Sequence, residues 1–244
     1  MTPSADIRQV TRRMVKLIFL CRRRLDITHE RYVELLLEGH VLLALKHHPA
    51  MRKYIVNIVE SSPDGWESLD SIGELYFDEL DDYRERLYDS PAGRQVIEAD
   101  VRGFMGAAHA YVTTERVHRT QPRTNALGAR STGVKVICPV MRRAEISHSD
   151  FVAHWQDRHV PLALAHHAGM RRYVTNIVDD RLSPAGETLD GIAELHFPSV
   201  EALQRGMFDS PAGERIIRDD ITRFIGRTAA YRVAEYVQKD DVDR

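Results

Sequence analysis

The residues of this chain best suited to chemistry come in pairs: His40 and His159, Tyr54 and Tyr173, Asn57 and Asn176, Glu74 and Glu194. An imidazole takes up and returns a proton near neutral pH, which is what a general acid or base must do. A carboxylate inside an apolar strand is costly unless it is protonated or paired. Burial alone would raise its pKa and suit it to general-acid duty. A lysine alongside would instead keep it ionised, and Lys16 and Lys135 lie in neighbouring strand segments. The expected catalytic residues are His159 as general base or acid and Glu194 as its orienting or proton-sharing partner, with His40 and Glu74 as their counterparts. Trp155, Tyr173, Tyr54, His196 and Asn176 are the expected substrate contacts, Tyr173 as a donor to a substrate oxygen. Each has a plainer role available: a histidine at a helix C-terminus facing the negative end of the dipole, an ion-paired glutamate, a core tyrosine or tryptophan.

The elements that hold these residues can be read from periodicity. Phe151, Trp155 and His159 recur at i, i+4 and i+8, as do Tyr32, Leu36 and His40, so each histidine ends the apolar stripe of a helix. Thr28 and Ser147 are suited to N-capping those helices, and Pro161 is expected to stop the second one near His159. VKLIFLC and VKVICPV read as buried strands, and RRYVTNIV and GIAELHF as two more. Tyr and Asn stand three apart in their strand, so alternation sends them to opposite faces. In DSPAG, Ser before Pro fits the N-cap and first position of a further helix. The doublets His47-His48 and His166-His167 point in different directions and lack metal-ligand spacing; they read as surface turns, and no metal site is expected.

These elements are written twice. HHPAMRKYIVNIV (47–59) returns as HHAGMRRYVTNIV (166–178), and YDSPAGRQVIEAD (88–100) as FDSPAGERIIRDD (208–220). The interval is 119 residues up to Asn57 and Asn176 and 120 from Leu69 and Leu189 onward, one residue having been added in the intervening loop. The chain therefore divides into a unit at 14–117, a linker at 118–132 and a second unit at 133–237, each of ordinary domain size. The order within a unit is β-α-β-β-α-β, a ferredoxin-like α+β arrangement. The strands are apolar on both faces, so the two sheets must cover one another.

Composition bounds the function. Among 244 residues the charges nearly cancel, at a formal −2, which argues against nucleic acid as the partner. No run approaches the roughly 20 apolar residues of a membrane span. The polar amino-terminal stretch is not followed by a signal-peptide core, and Cys21 and Cys138 show no redox or metal spacing. A cytoplasmic protein with buried thiols is expected.

The order Phe151, His154, Trp155, His159, Pro161, Leu162, then Gly169, Tyr173, DGIAELHF (190–197) and DSPAG resembles the EthD family of the dimeric α+β barrel superfamily. The first unit departs from that pattern: Leu36 stands for the Trp, Leu42 for the Pro and Ala50 for the Gly. The resemblance implies two ferredoxin-like units fused as a pseudo-dimeric α+β barrel, and a small organic substrate, aromatic or polyketide-like. The expected activity is a cofactor-independent acid–base reaction of the lyase, isomerase or cyclase type. The alternatives are a haem or small-molecule binding protein without turnover, with His159 or His196 as haem ligand, and a cofactor-free aromatic monooxygenase. The partner expected is the small substrate, with no nucleic acid and no membrane, and the protein a monomeric barrel or a homodimer of fused barrels.

Overall fold

The computed structural model describes residues 14–121 and 125–242. The polar stretch before Met14 and positions 122–124 of the linker lie outside the described residues. The first repeat runs β1 (Val15–Arg23), α1 (His29–Glu34), a π-helical turn (Leu35–His40), α2 (Val41–His47), β2 (Lys53–Ser61), β3 (Ser71–Phe77), α3 (Leu80–Arg84), α4 (Pro91–Phe104) and β4 (Met105–Arg119). The second repeats that order: β5 (Val134–Arg142), α5 (His148–His154), a π turn (Trp155–His159), α6 (Val160–His166), β6 (Arg172–Arg181), β7 (Gly191–Phe197), α7 (Val200–Gly206), α8 (Pro211–Phe224), β8 (Ile225–Thr228) and β9 (Tyr231–Asp240).

The two sheets do more than cover one another. β4 pairs antiparallel with β6, and β2 with β9, so the last strand of each repeat extends the other repeat's sheet. The order β7-β6-β4-β1-β3-β2-β9-β5 closes through a β5–β7 pairing into an eight-stranded antiparallel barrel, with β8 lying on β5 as the lead-in to β9. Closure leaves no unpaired strand edge for either half. Strand alternation then divides each strand between two cores. Leu17, Tyr54, Val56 and Phe77 face the first repeat's helices, and Tyr173, Ile177 and Phe197 those of the second. Ile18, Ile72, Tyr111, Ile137, Ile192 and Tyr231 fill the barrel's interior. Two interior tyrosines reach across the repeats: Tyr111 donates to the Glu187 carbonyl at 2.8 Å and Tyr231 to that of Glu67 at 2.6 Å.

Two local expectations are corrected. Pro161 does not stop the helix. The π turn ends at His159 and helical geometry resumes, with Pro161 in the first turn of α6, where a missing N–H costs least. The histidine doublets are tethers rather than surface turns. His47 and His166 bond Asp89 and Asp209 through Nδ1, and His48 and His167 bond the carbonyls of Leu87 and Met207. The same motif caps the next helix, since Ser90 and Ser210 accept from the amides of Gly93 and Gly213 at 3.0 Å. Gly93 has no alternative, because a Cβ there would collide with the Asp89 carboxylate and the His47 ring.

Candidate active site

In the first repeat, a cavity of about 210 Å³ lies between the sheet and the helices. Apolar side chains form most of it, Phe19, Val56 and Leu75 from the strands and Leu36 and Ile97 from the helices. The polar groups on its wall are His40, His48, Tyr54, Tyr83, Tyr88, Ser71 and Cys21; among the described residues no Asp, Glu, Lys or Arg takes part. The π turn, a feature that recurs at functional sites, brings His40 here. Its Nδ1 lies 2.8 Å from Asp100 Oδ2 on α4, and its ring packs at 5.5 Å on Phe104. A carboxylate on Nδ1 selects the tautomer and leaves Nε2 as the nitrogen able to exchange a proton. His48 must donate its Nδ1 hydrogen to the Leu87 carbonyl, 3.0 Å away, and burial holds it below the ordinary histidine range, so it is neutral. Burial pushes the Tyr54 phenol up, which keeps it a donor, and pushes the Cys21 thiol up to about 12, which keeps it unreactive.

The second repeat builds the same dyad and closes the cavity. His159 Nδ1 sits 2.9 Å from Asp220 Oδ2, and His154 Nε2 takes the other oxygen at 2.9 Å. Burial works against that carboxylate, but the two histidine bonds outweigh it and hold Asp220 below the usual range. Trp155 stands where the first repeat has Leu36. Its Nε1 donates to the Tyr173 hydroxyl at 3.0 Å, and a Cβ on Gly191 would collide with its ring. Tyr173 and Gly191 correspond to Tyr54 and Ser71, both on the wall of the first cavity. The indole therefore occupies the volume that is open in the first repeat. Outside it lies an open cleft of about 710 Å³ bordered by His154, Arg158 and Asp220.

The glutamates are elsewhere. Glu74 and Glu194 point into the barrel, away from both histidine dyads, and join Lys16 and Lys135 in a ring spanning the repeats. Lys16 Nζ lies 2.8 Å from Glu74 and 2.5 Å from Glu194. Lys135 Nζ lies 2.5 Å from Glu74 and 2.8 Å from Glu194. Burial would raise both carboxyl groups, but the two ammonium groups overcome it, leaving Glu74 below and Glu194 well below the ordinary range. They are ionised, which removes the geometric basis for Glu194 as partner of His159 and for either as a general acid. Asn57 and Asn176 are buried with the ring, each donating to its glutamate at 2.8 Å and to a cross-strand carbonyl. His196 faces Arg172 at 3.3 Å in the same interior, and burial lowers it to about 4. Of the expected site residues, then, the structure gathers His40 and Tyr54 at one cavity and His159, Trp155 and Tyr173 in its filled counterpart; Glu74, Glu194, Asn176 and His196 belong to the barrel. Asp100 and Asp220 were not singled out from sequence, although both close the repeated DSPAG segment with the same interval of 120.

The first-repeat cavity, at about 210 Å³, is too small for a haem macrocycle. Of the two expected haem ligands, His159 is bonded to Asp220 and His196 faces the Arg172 guanidinium. Among the described residues no cluster of three or more His, Cys, Asp or Glu is placed to hold a metal ion.

No curated protein matches the sequence. Solved structures share the fold at low identity. An anthrone oxidase-like protein superposes with a TM-score of 0.59 at 10% identity, over 94% of this chain and 95% of that one. A monooxygenase candidate from Lactobacillus acidophilus NCFM gives 0.54 at 10% identity, over 93% and 97%. The EthD domain model matches twice, at residues 24–108 and 143–228, once in each repeat and over more than half of the chain. The chain belongs to the EthD family.

Proposed function

We propose that the protein is an acid–base enzyme of the lyase, isomerase or cyclase kind, acting on a small organic molecule in the first-repeat cavity. His40 Nε2 exchanges the proton, Asp100 fixes the tautomer and orientation of the ring, and the Tyr54 hydroxyl donates to the substrate oxygen on which charge develops. The observation that carries this reading is His40, bonded to Asp100 behind it, on the wall of an open apolar cavity, where the duplicate pair adjoins a space filled by Trp155. The catalytic role expected for His159 and Glu194 passes accordingly to His40 and Asp100. Water exclusion by the apolar wall strengthens each polar contact made inside it.

Hydrogen–deuterium exchange tests this without a known product. Carbonyl compounds with an acidic C–H, small enough for the cavity, are incubated with the protein in D2O and followed by NMR. His40→Gln should slow exchange by at least about 100-fold, the lower end of what a positioned base contributes, with the melting temperature nearly unchanged. His159→Gln should retain the wild-type rate. Equal rates for wild type and His40→Gln would refute the assignment.

A further inference from the structure

The two repeats differ where they should agree, and the differences form a set. Leu36, Ser71, Tyr32 and Cys21 of the first repeat correspond to Trp155, Gly191, Phe151 and Val140 of the second. The second repeat thus pairs a large indole with a wholly apolar floor and with the glycine that makes room for it. The first removes the indole and puts a hydroxyl and a thiol on the floor of the resulting space. Ser71 Oγ lies 2.7 Å from the Tyr32 hydroxyl. Either hydroxyl can donate in that bond; where Tyr32 does, Ser71 keeps its own proton for another oxygen.

We propose that the first-repeat cavity binds a neutral, hydroxylated aromatic of one to two rings, its polar edge toward Ser71, and that the Trp155 indole is the second repeat's built-in counterpart of that ligand. The proposal deepens the functional reading above by naming the ligand class for the same cavity. Flatness and aromaticity follow from the indole that fills the duplicate space. Neutrality follows from a wall without a charged side chain to pair an ion, whose burial unpaired would be prohibitive. The Trp155 Nε1–Tyr173 bond at 3.0 Å shows which group meets the other edge, the tyrosine hydroxyl, supplied in the first repeat by Tyr54. A hydroxyl on the ligand replaces what Trp155 lacks at its far edge, where Gly191 gives way to Ser71. The size agrees, since an apolar cavity of about 150 Å³ holds benzene and this one measures about 210 Å³.

Calorimetric titration of the full chain with phenol, 2-naphthol, naphthalene and benzoate tests this. A hydroxylated probe, phenol or 2-naphthol, should bind one to one, at least tenfold more tightly than naphthalene or benzoate. The double variant Leu36→Trp/Ser71→Gly, which copies the second repeat's own pair and so is built to fold, should lose that binding. Ser71→Ala should erase the tenfold preference of 2-naphthol over naphthalene while naphthalene still binds. In Trp155→Gly, free indole should raise the melting temperature and titrate at a second site. Binding that survives the double variant, or benzoate binding as tightly as the hydroxylated probes, would overturn the proposal, as would failure of every neutral aromatic to bind. These readouts need no turnover. If His40→Gln binds the hydroxylated probe normally and matches wild type in exchange, the enzymatic reading falls while the ligand class stands.

Discussion

Lys16→Met should be far more damaging than the loss of a glutamate from the same ring, and it should invert the pH dependence of stability. Three cations, Lys16, Lys135 and Arg172, stand among four carboxylates, Glu74, Glu194, Glu115 and Glu235, an excess of one negative charge. Removing Glu194 balances the count, and each lysine keeps two carboxylates: Glu74 and Glu115 for Lys16, Glu74 and Glu235 for Lys135. Its cost should be about 1–3 kcal/mol, that of one lost buried hydrogen-bonding partner. Removing Lys16 leaves two cations against four carboxylates, and Glu115 retains only the Tyr76 hydroxyl, at 2.7 Å, of these two contacts. Breaking a buried pair in this way costs about 3–5 kcal/mol, which for a chain of this size lowers Tm by roughly 6–20 °C. In the wild type, Glu74 and Glu194 are depressed, so their contribution is complete above the unfolded glutamate pKa and is lost only as pH falls through their lower folded values. Without Lys16 those carboxylates are raised, and the sign reverses: stability is gained as pH falls from 7 toward 5. Urea unfolding at pH 7 and pH 5 measures both effects. A loss below about 1 kcal/mol, or a variant no more stable at pH 5 than at pH 7, would refute the account of the ring as a coupled, ionised cluster.

Two further substitutions probe the tethers and the dyad. Gly93→Ala should destabilise by about 1–3 kcal/mol, the usual cost of overpacking, because its Cβ meets Asp89 and His47; the drop should largely vanish in an Asp89→Ala/His47→Ala background, measured by the same urea titration. Asp100→Asn should reduce turnover about 100-fold or more by loosening control of the His40 tautomer. The pH–rate profile should shift with it, a response that simple loss of packing would not give.

The duplication alone carried most of the architecture. Two β-α-β-β-α-β units with strands apolar on both faces have to cover each other, and the spacing of Tyr54 and Asn57 correctly places them on opposite sides of one strand, the cavity and the barrel. What the chain does not display is which partner each buried charge meets. Lys16 contacts Glu194 across 178 positions only because β4–β6 and β2–β9 pairing closes the barrel. The choice of repeat was also hidden. The second carries the fuller family pattern, yet its Trp155 is what fills the space; openness depends on a trade in size between positions 36 and 71, in different elements, set against 155 and 191. Asp100 lies 60 residues from His40, and nothing local links them until α4 packs on the π turn.

The ring of lysines and glutamates has one more consequence, for assembly. Because each repeat contributes one of each residue, the ring is self-complementary and fits any pairing of a first with a second repeat, including two drawn from different molecules. Nothing in it distinguishes a barrel closed within one chain from a barrel closed between two. The covalent connection between β4 and β5 makes that distinction, by holding the partner half at an effective concentration on the order of millimolar. Refolding well below that concentration should give single barrels, whereas refolding in concentrated solution should give exchanged dimers with every interior contact intact.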